Sequence, residues 1–286
     1  MTTVISKEVK IMEIMSKIKS PHWIFIIGCY NSGTSLLEQI LRQHPAIAGL
    51  PDEGQFLSKV LITPKSVGVP RLWVEKEALF RFTPDEKAAE ALQIKKDWLK
   101  QLDKVDAPFA IEKSPTSTAR ILWLQRHFEP AYFIHIVRNG YAVALGIHEK
   151  VLSVYGEIMP NLLQKGANQW ARSLEIIQKD APQVTRFLEI RYEDLTTEPV
   201  KTTQQIFDFL GLPPIDSQLL AQKYTIHNLH STIKNQNTAR LAKMTKKQKT
   251  IIEARAGKLL KAYGYKKGFF SFLKRIPIFR NPKLKL

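Results

Sequence analysis

The 286 residues, 44% hydrophobic and 24% charged, have an ordinary globular composition and suffice for one large α/β domain. No run approaches the ~20 apolar residues that span a bilayer. One cysteine, Cys29, excludes an internal disulfide and a cysteine metal cluster, and favours a reducing, cytoplasmic compartment. The net charge of +17 is concentrated at one end: residues 241–286 hold 14 Lys/Arg against the single acid Glu253, while the first 240 hold 29 basic and 25 acidic side chains. A nearly balanced body argues against a nucleic-acid partner, which would select a basic face.

Residues 1–21 mix charge throughout, lack the apolar core of a signal peptide and read as a lead-in helix. His22–Ile27 (HWIFII) is an unbroken apolar run rich in β-branched and aromatic residues, which predicts a buried strand. Leu36, Leu37, Ile40 and Leu41 then fall at helical spacing, with His44-Pro45 as the stop. Helical patterns follow over 86–104, Ser117–His127, Val143–Val151 and 160–180. Strands are predicted at Phe109–Ile111, Tyr132–Val137 and Val184–Ile190. Val200–Leu210 is a helix closed by Gly211 with Pro213-Pro214 beyond, and a last helix covers about 245–263. Unbroken apolar strands alternating with helices predict an α/β fold, a parallel sheet covered on both faces. Ligands of such sheets bind beyond the carboxyl ends of the strands. Gly28, Lys113, Arg138 and Tyr192 all sit at predicted strand exits and form one candidate site.

Gly28-Cys29-Tyr30-Asn31-Ser32-Gly33-Thr34-Ser35 has the spacing of a phosphate-binding loop. Its glycines permit close approach to an anion, and the following helix adds a positive dipole end and unpaired N–H groups. Thr34 stands where ATP- and GTP-hydrolysing loops place lysine, which weakens that reading.

The segment IIGCYNSGTSLLEQILRQHPAIAG resembles the 5′-phosphosulfate loop of sulfotransferases that use 3′-phosphoadenosine 5′-phosphosulfate (PAPS). The resemblance continues in order through IEKSP (Ile111–Pro115), YFIHIVRNGYAVALG (Tyr132–Gly146), EIRYEDLTTEP (Glu189–Pro199) with IFDFLGL (Ile206–Leu212), and KAYGY (Lys261–Tyr265). It spans about residues 22–265 and is nearer to the tyrosylprotein and bacterial branches. It implies a three-layer fold of the P-loop NTPase-like type, PAPS as co-substrate, and no metal.

By that resemblance, Asn31, Ser32, Gly33, Thr34 and Ser35 meet the 5′-phosphosulfate, and Arg138 binds the 3′-phosphate, for which a guanidinium fork is well suited. Ser231, Lys234 and Asn235 add late 3′-phosphate contacts, and Tyr192 packs near the adenine. Lys113 touches the sulfuryl group or its leaving oxygen. The tyrosine-sulfating branch sets its catalytic carboxylate eight residues after the histidine of the His-Pro pair. That spacing reaches Asp52, with Glu53 adjacent, and either could be the base. Asp52 as a cap with Glu53 in the first turn is the structural alternative. Small-molecule branches use a histidine instead: His135 lies in a predicted buried strand and reads as core, while the side chain of His148 has no assigned direction.

Two positions depart from the pattern. Asn31 replaces an Arg or Lys, with Lys113 left as the cation to compensate, and Gly146 replaces a 3′-phosphate-binding serine. These departures keep a catalytically weakened nucleotide-binding relative open beside the sulfotransferase; a P-loop small-molecule kinase is the third reading. The tail, residues 266–286, interleaves phenylalanines with seven Lys/Arg. It reads either as a contact to an anionic membrane surface or as a segment folded back on the domain.

Overall fold

His22–Ile27 forms the central strand β1, and alternation of its side chains builds both faces of the core. Trp23, Phe25 and Ile27 pack on one side with Trp98, Trp123 and Phe128, while Ile24 and Ile26 pack on the other with Leu37, Ile40 and Ile206. Each such buried side chain contributes about 1.5–3 kcal/mol relative to exposure. The computed structural model describes residues 20–104, 106–156, 159–226, 229–266 and 279–280.

The remaining strands are β2 (Ile47–Gly49), β3 (Phe109–Lys113), β4 (Ala131–Val137), β5 (Phe187–Arg191), the hairpin β6 (Tyr224–Ile226) with β7 (Leu229–Ser231), and β8 (Phe279–Arg280). The main sheet has the order β2-β3-β1-β4-β5-β8, with the first five strands parallel and β8 antiparallel at the edge of β5. The helices are α1 (Thr34–Leu41), α2 (Ala88–Leu99), α3 (Ile121–His127), α4 (Gly140–Tyr155), α5 (Leu162–Asp180), α6 (Tyr192–Thr197), α7 (Pro199–Leu210), α8 (Asn237–Ala242) and α9 (Lys246–Ala262). One face of the sheet carries α1 and α7; the other carries α2, α3 and the carboxyl end of α5, and α4, α5 and α9 form an adjoining cluster. The predicted three-layer α/β fold with a central parallel sheet is therefore observed.

Several helix ends move. The helix expected over 86–104 is confined to Ala88–Leu99, beginning after Lys87, whose φ is 53°. The predicted 117–127 helix is a 3-10 segment, Pro115–Arg120, running into α3. The helix expected over 143–151 runs from Gly140 to Tyr155, and Asn139 caps its start, accepting from the N–H groups of Tyr141 and Ala142. Thr245 and Gln248 form a reciprocal capping box at α9. Gly211 closes α7 at φ 70°, as predicted. The lead-in helix lies outside the described residues, as does the tail apart from Lys266, Phe279 and Arg280. Among the described residues no helix is long and apolar enough to cross a membrane.

Candidate active site

Parallel pairing brings the carboxyl ends of β1, β3, β4 and β5 to one edge, where Ile26 is in register with Lys113 and Val137 with Arg191. The loop Gly28–Gly33 leaves β1 there and enters α1 through Gly33, at φ 100°. A Cβ at Gly33 would lie 2.6 Å from the Tyr192 ring, so glycine is required both for its conformation and for the approach of that ring. Cys29 is buried, and burial pushes its thiol up to about 12, so it supplies no thiolate.

Arg138 is almost wholly buried at the exit of β4. Its Nε donates to Asn237 Oδ1 (2.8 Å), its Nη1 donates to the Asn31 carbonyl (2.8 Å), and its guanidinium stacks 3.9 Å from the Tyr192 ring centroid. Its Nη2 is buried with no hydrogen-bond partner. A buried donor without a partner is costly, and Arg138 itself lines the cleft described next. The Tyr192 hydroxyl donates to the Lys234 carbonyl (3.2 Å) and accepts from Gln236 N–H (3.1 Å). Tyr192 thus braces the loop, Arg138 and the 231–236 segment together. Glu193 accepts from Asn139 N–H, the Asn237 carboxamide and the Tyr265 hydroxyl, tying the KAYGY ending to the same anchor.

The cleft above this edge has a volume of about 630 Å³. Asn31, Gly33, Thr34, Ser35, Arg138, Tyr192, Ser231 and Lys234 all line it, while Ser32 is buried behind them. Six basic side chains, Arg71, Arg138, Lys150, Lys234, Arg240 and Lys243, line it against two acids, Glu53 and Glu149. The excess selects a polyanionic ligand. Gly146 also lines it, and the guanidinium of Arg240 stands close to where a side chain at that position would be.

A second cavity of about 430 Å³ adjoins it and shares Tyr30, Ser35, Glu53 and Arg71. Here Lys113 donates to Glu53 Oε1 (2.8 Å) and lies 3.9 Å from Glu38. Burial pulls the Lys113 ammonium down, but Glu53 and Glu38 outweigh it and hold it above its ordinary value. The two candidate carboxylates now separate. Glu53 reaches both cavities and Lys113; Asp52 lines only the second cavity, is exposed, and accepts from the Glu53 N–H at 2.7 Å, a turn-capping role. Behind them Glu112 is fully buried and accepts from Gly54 N–H, Ser114 and Ser117, fastening the Glu53–Gly54 turn to β3. His135 is buried against Glu189 at 3.0 Å, as a core histidine, and His148 does not line the cleft.

Burial pushes the Glu38 carboxyl up to about 6, against the pull of Lys113 and Arg42. Its folded value lies above the unfolded one, so the stability it lends is full below about 4.5 and is lost as pH rises through about 6. Glu38→Gln mimics the protonated form. It should raise unfolding stability by about 2 kcal/mol at about pH 8 and by little at about pH 4, read from denaturant melts.

Arg71, Asn237 and Arg240 were not singled out from the sequence. They come from segments with neither motif nor periodicity, and only the fold carries them to the cleft.

The sequence pattern of the sulfotransferase family matches residues 21–217. Omega-hydroxy-beta-dihydromenaquinone-9 sulfotransferase Stf3 of Mycobacterium bovis is 28% identical over 165 residues, 54% of this chain and 41% of that protein. Protein-tyrosine sulfotransferase 2 of Gallus gallus is 23% identical over 204 residues, 68% of this chain and 53% of that protein. The chain therefore spans about half or less of the length of these relatives. In fold it resembles the sulfotransferase domain of the Synechococcus PCC 7002 olefin synthase, with a TM-score of 0.53 and 22% identity over 84% of this chain and 96% of that one. With the loop, the strand exits and the match over most of its length in agreement, the chain belongs to the sulfotransferase family.

Proposed function

We propose that this protein transfers a sulfuryl group from PAPS to a hydroxyl or amine of an acceptor. The observation that carries this reading is Arg138 Nη2, a buried and unpartnered donor on a basic cleft whose other end is the amino terminus of α1. A ligand with a 5′-phosphosulfate and a 3′-phosphate needs two separate anion positions, and the cleft offers both. When bound, PAPS supplies an activated sulfuryl group whose sulfur–oxygen bond to the 5′-phosphate breaks as the acceptor's bond to sulfur forms.

The chain's own residues divide the remaining work. The N–H groups at the start of α1 and the hydroxyls of Thr34 and Ser35 bind the 5′ end. Arg138, with Ser231 and Lys234, binds the 3′ end. Glu53 takes the acceptor proton, and the second cavity, where Glu53 and Lys113 meet, is the acceptor's approach. Lys113 stays protonated and faces the charge that develops on the leaving oxygen. The names of the two relatives describe acceptors that carry hydroxyls, a menaquinone derivative and a protein tyrosine, which favours O-sulfation here.

Isothermal titration with adenosine 3′,5′-bisphosphate tests the reading: micromolar binding is expected, and its absence in folded protein would overturn it. Magnesium-dependent ATP binding in its place would favour the kinase. Arg138→Lys keeps the charge but loses the fork, and should weaken binding of this nucleotide about 10- to 100-fold, the equivalent of one or two charge-assisted hydrogen bonds.

A further inference from the structure

The loop Gly28–Ser35 contains no cationic side chain of its own, yet breaking a bond to a phosphate oxygen leaves negative charge beside it. The structure shows a cation reaching the loop from elsewhere. Arg71 Nη1 donates to Asn31 Oδ1 at 3.0 Å, and its guanidinium lies 5.4 Å from the Tyr30 ring centroid. Its backbone is left-handed, with φ 62°, and Asn31 is likewise at φ 64°. Such angles in non-glycine residues cost free energy and persist where surrounding contacts impose them. Arg71 borders both cavities, where phosphosulfate and acceptor would meet.

The other departure from the family pattern belongs to the same arrangement. A Cβ at Gly146 would lie 2.5 Å from Asn31 Nδ2 and 2.8 Å from Arg240 Nη1. Gly146 therefore gives the Asn31 carboxamide the room in which it faces Arg71. Two other cations nearby are paired with carboxylates, Lys113 with Glu53 and close to Glu38, and Arg240 with Glu149 at 3.2 Å, while Arg138 meets the loop through the Asn31 carbonyl. Among the described residues Arg71 forms no ion pair, so its charge is open to a ligand.

We infer that Arg71 is the residue that neutralises the 5′-phosphosulfate, held toward the loop by Asn31, which acts as a positioning residue. This rests on the PAPS reading above. Arg71 is then a catalytic residue supplied from outside the loop, and the chain at Asn31 is rearranged rather than depleted of charge.

The test compares two ligands, adenosine 3′,5′-bisphosphate and adenosine 3′-monophosphate, by isothermal titration, with circular dichroism to confirm folding. Arg71→Ala should weaken the bisphosphate about tenfold or more and leave the monophosphate within about twofold. Arg71→Gln, which keeps the bulk and a donor toward Asn31, guards against misfolding and should show the same selective loss. Adding Asn31→Arg to Arg71→Ala should restore part of the bisphosphate affinity. Equal loss for both ligands would mean a purely structural role and would overturn the inference, as would unchanged bisphosphate binding in both variants. If the unaltered protein binds neither ligand, the PAPS reading itself fails, a result distinct from either of those.

Discussion

Glu53→Gln should lower the rate of sulfuryl transfer by about 10²- to 10⁴-fold, the range expected when a positioned general base is removed. Asp52→Asn should change it by less than about threefold, because Asp52 serves the turn and its carboxylate does not reach Lys113. The contrast between neighbours is the informative part. Both residues lie on one short turn, so a general loosening of that turn would injure both variants alike. Single-turnover transfer of labelled sulfate from PAPS, with whichever acceptor the unaltered protein accepts from a mixed panel, measures the rates. Titration with adenosine 3′,5′-bisphosphate should give unchanged affinity for Asp52→Asn, which lines only the second cavity, and no weaker affinity for Glu53→Gln, which removes an acid from the cleft lining. Equal rates for Glu53→Gln and the unaltered protein would remove Glu53 as the base.

Lys113→Ala is expected to cost about 10²- to 10³-fold in the same transfer, as loss of one preorganised donor to a developing oxyanion does. Its side chain is nearly buried and already aligned by Glu53 and Glu38, so no reorganisation accompanies the reaction. The same burial means that its loss leaves those two carboxylates without their shared cation. Some destabilisation therefore accompanies the kinetic loss, and unfolding melts are needed alongside the rates. Lys113→Arg separates the effects: it keeps a charge for the carboxylates but shifts the donor, so stability should recover more than rate. If rate and stability recovered together, Lys113 would be a structural cation only.

The fold was legible wherever one physical signal dominated. β1 and β4 are unbroken apolar runs of six and seven residues with flanking breakers, and a parallel sheet buried on both faces leaves just that trace. β2 has three residues, too few for any period, and owes its place to pairing with β3. The helix expected over Ser117–His127 begins instead as the 3-10 segment Pro115–Arg120, whose residues are all buried and whose Ser117 serves Glu112.

In the site, the residues at strand exits were legible because topology alone collects them. The choice between Asp52 and Glu53 was not, since it turns on which carboxylate points at β3. Arg71 escaped detection for a related reason. Nothing local distinguishes it from a solvated surface arginine, and its meaning comes from Asn31, 40 residues earlier in the chain. Compensation for the missing charge was expected of Lys113. The geometry pairs Lys113 with the carboxylates and adds Arg71 at the loop as a second cation.

The bond from Arg138 Nη1 to the Asn31 carbonyl, with Tyr192 packed on both Arg138 and Gly33, predicts that the two proposed anion positions are thermodynamically linked. A ligand that orders Arg138 also orders the backbone of the 5′ loop, so the second phosphate meets a site whose entropy has already been lost. The free energies of the two ends should therefore exceed the sum of their separate values. By reciprocity, occupying one end strengthens binding at the other by the same coupling factor in either order. Adenosine, its two monophosphates and the bisphosphate form a four-member cycle from which that cooperativity can be read without any acceptor.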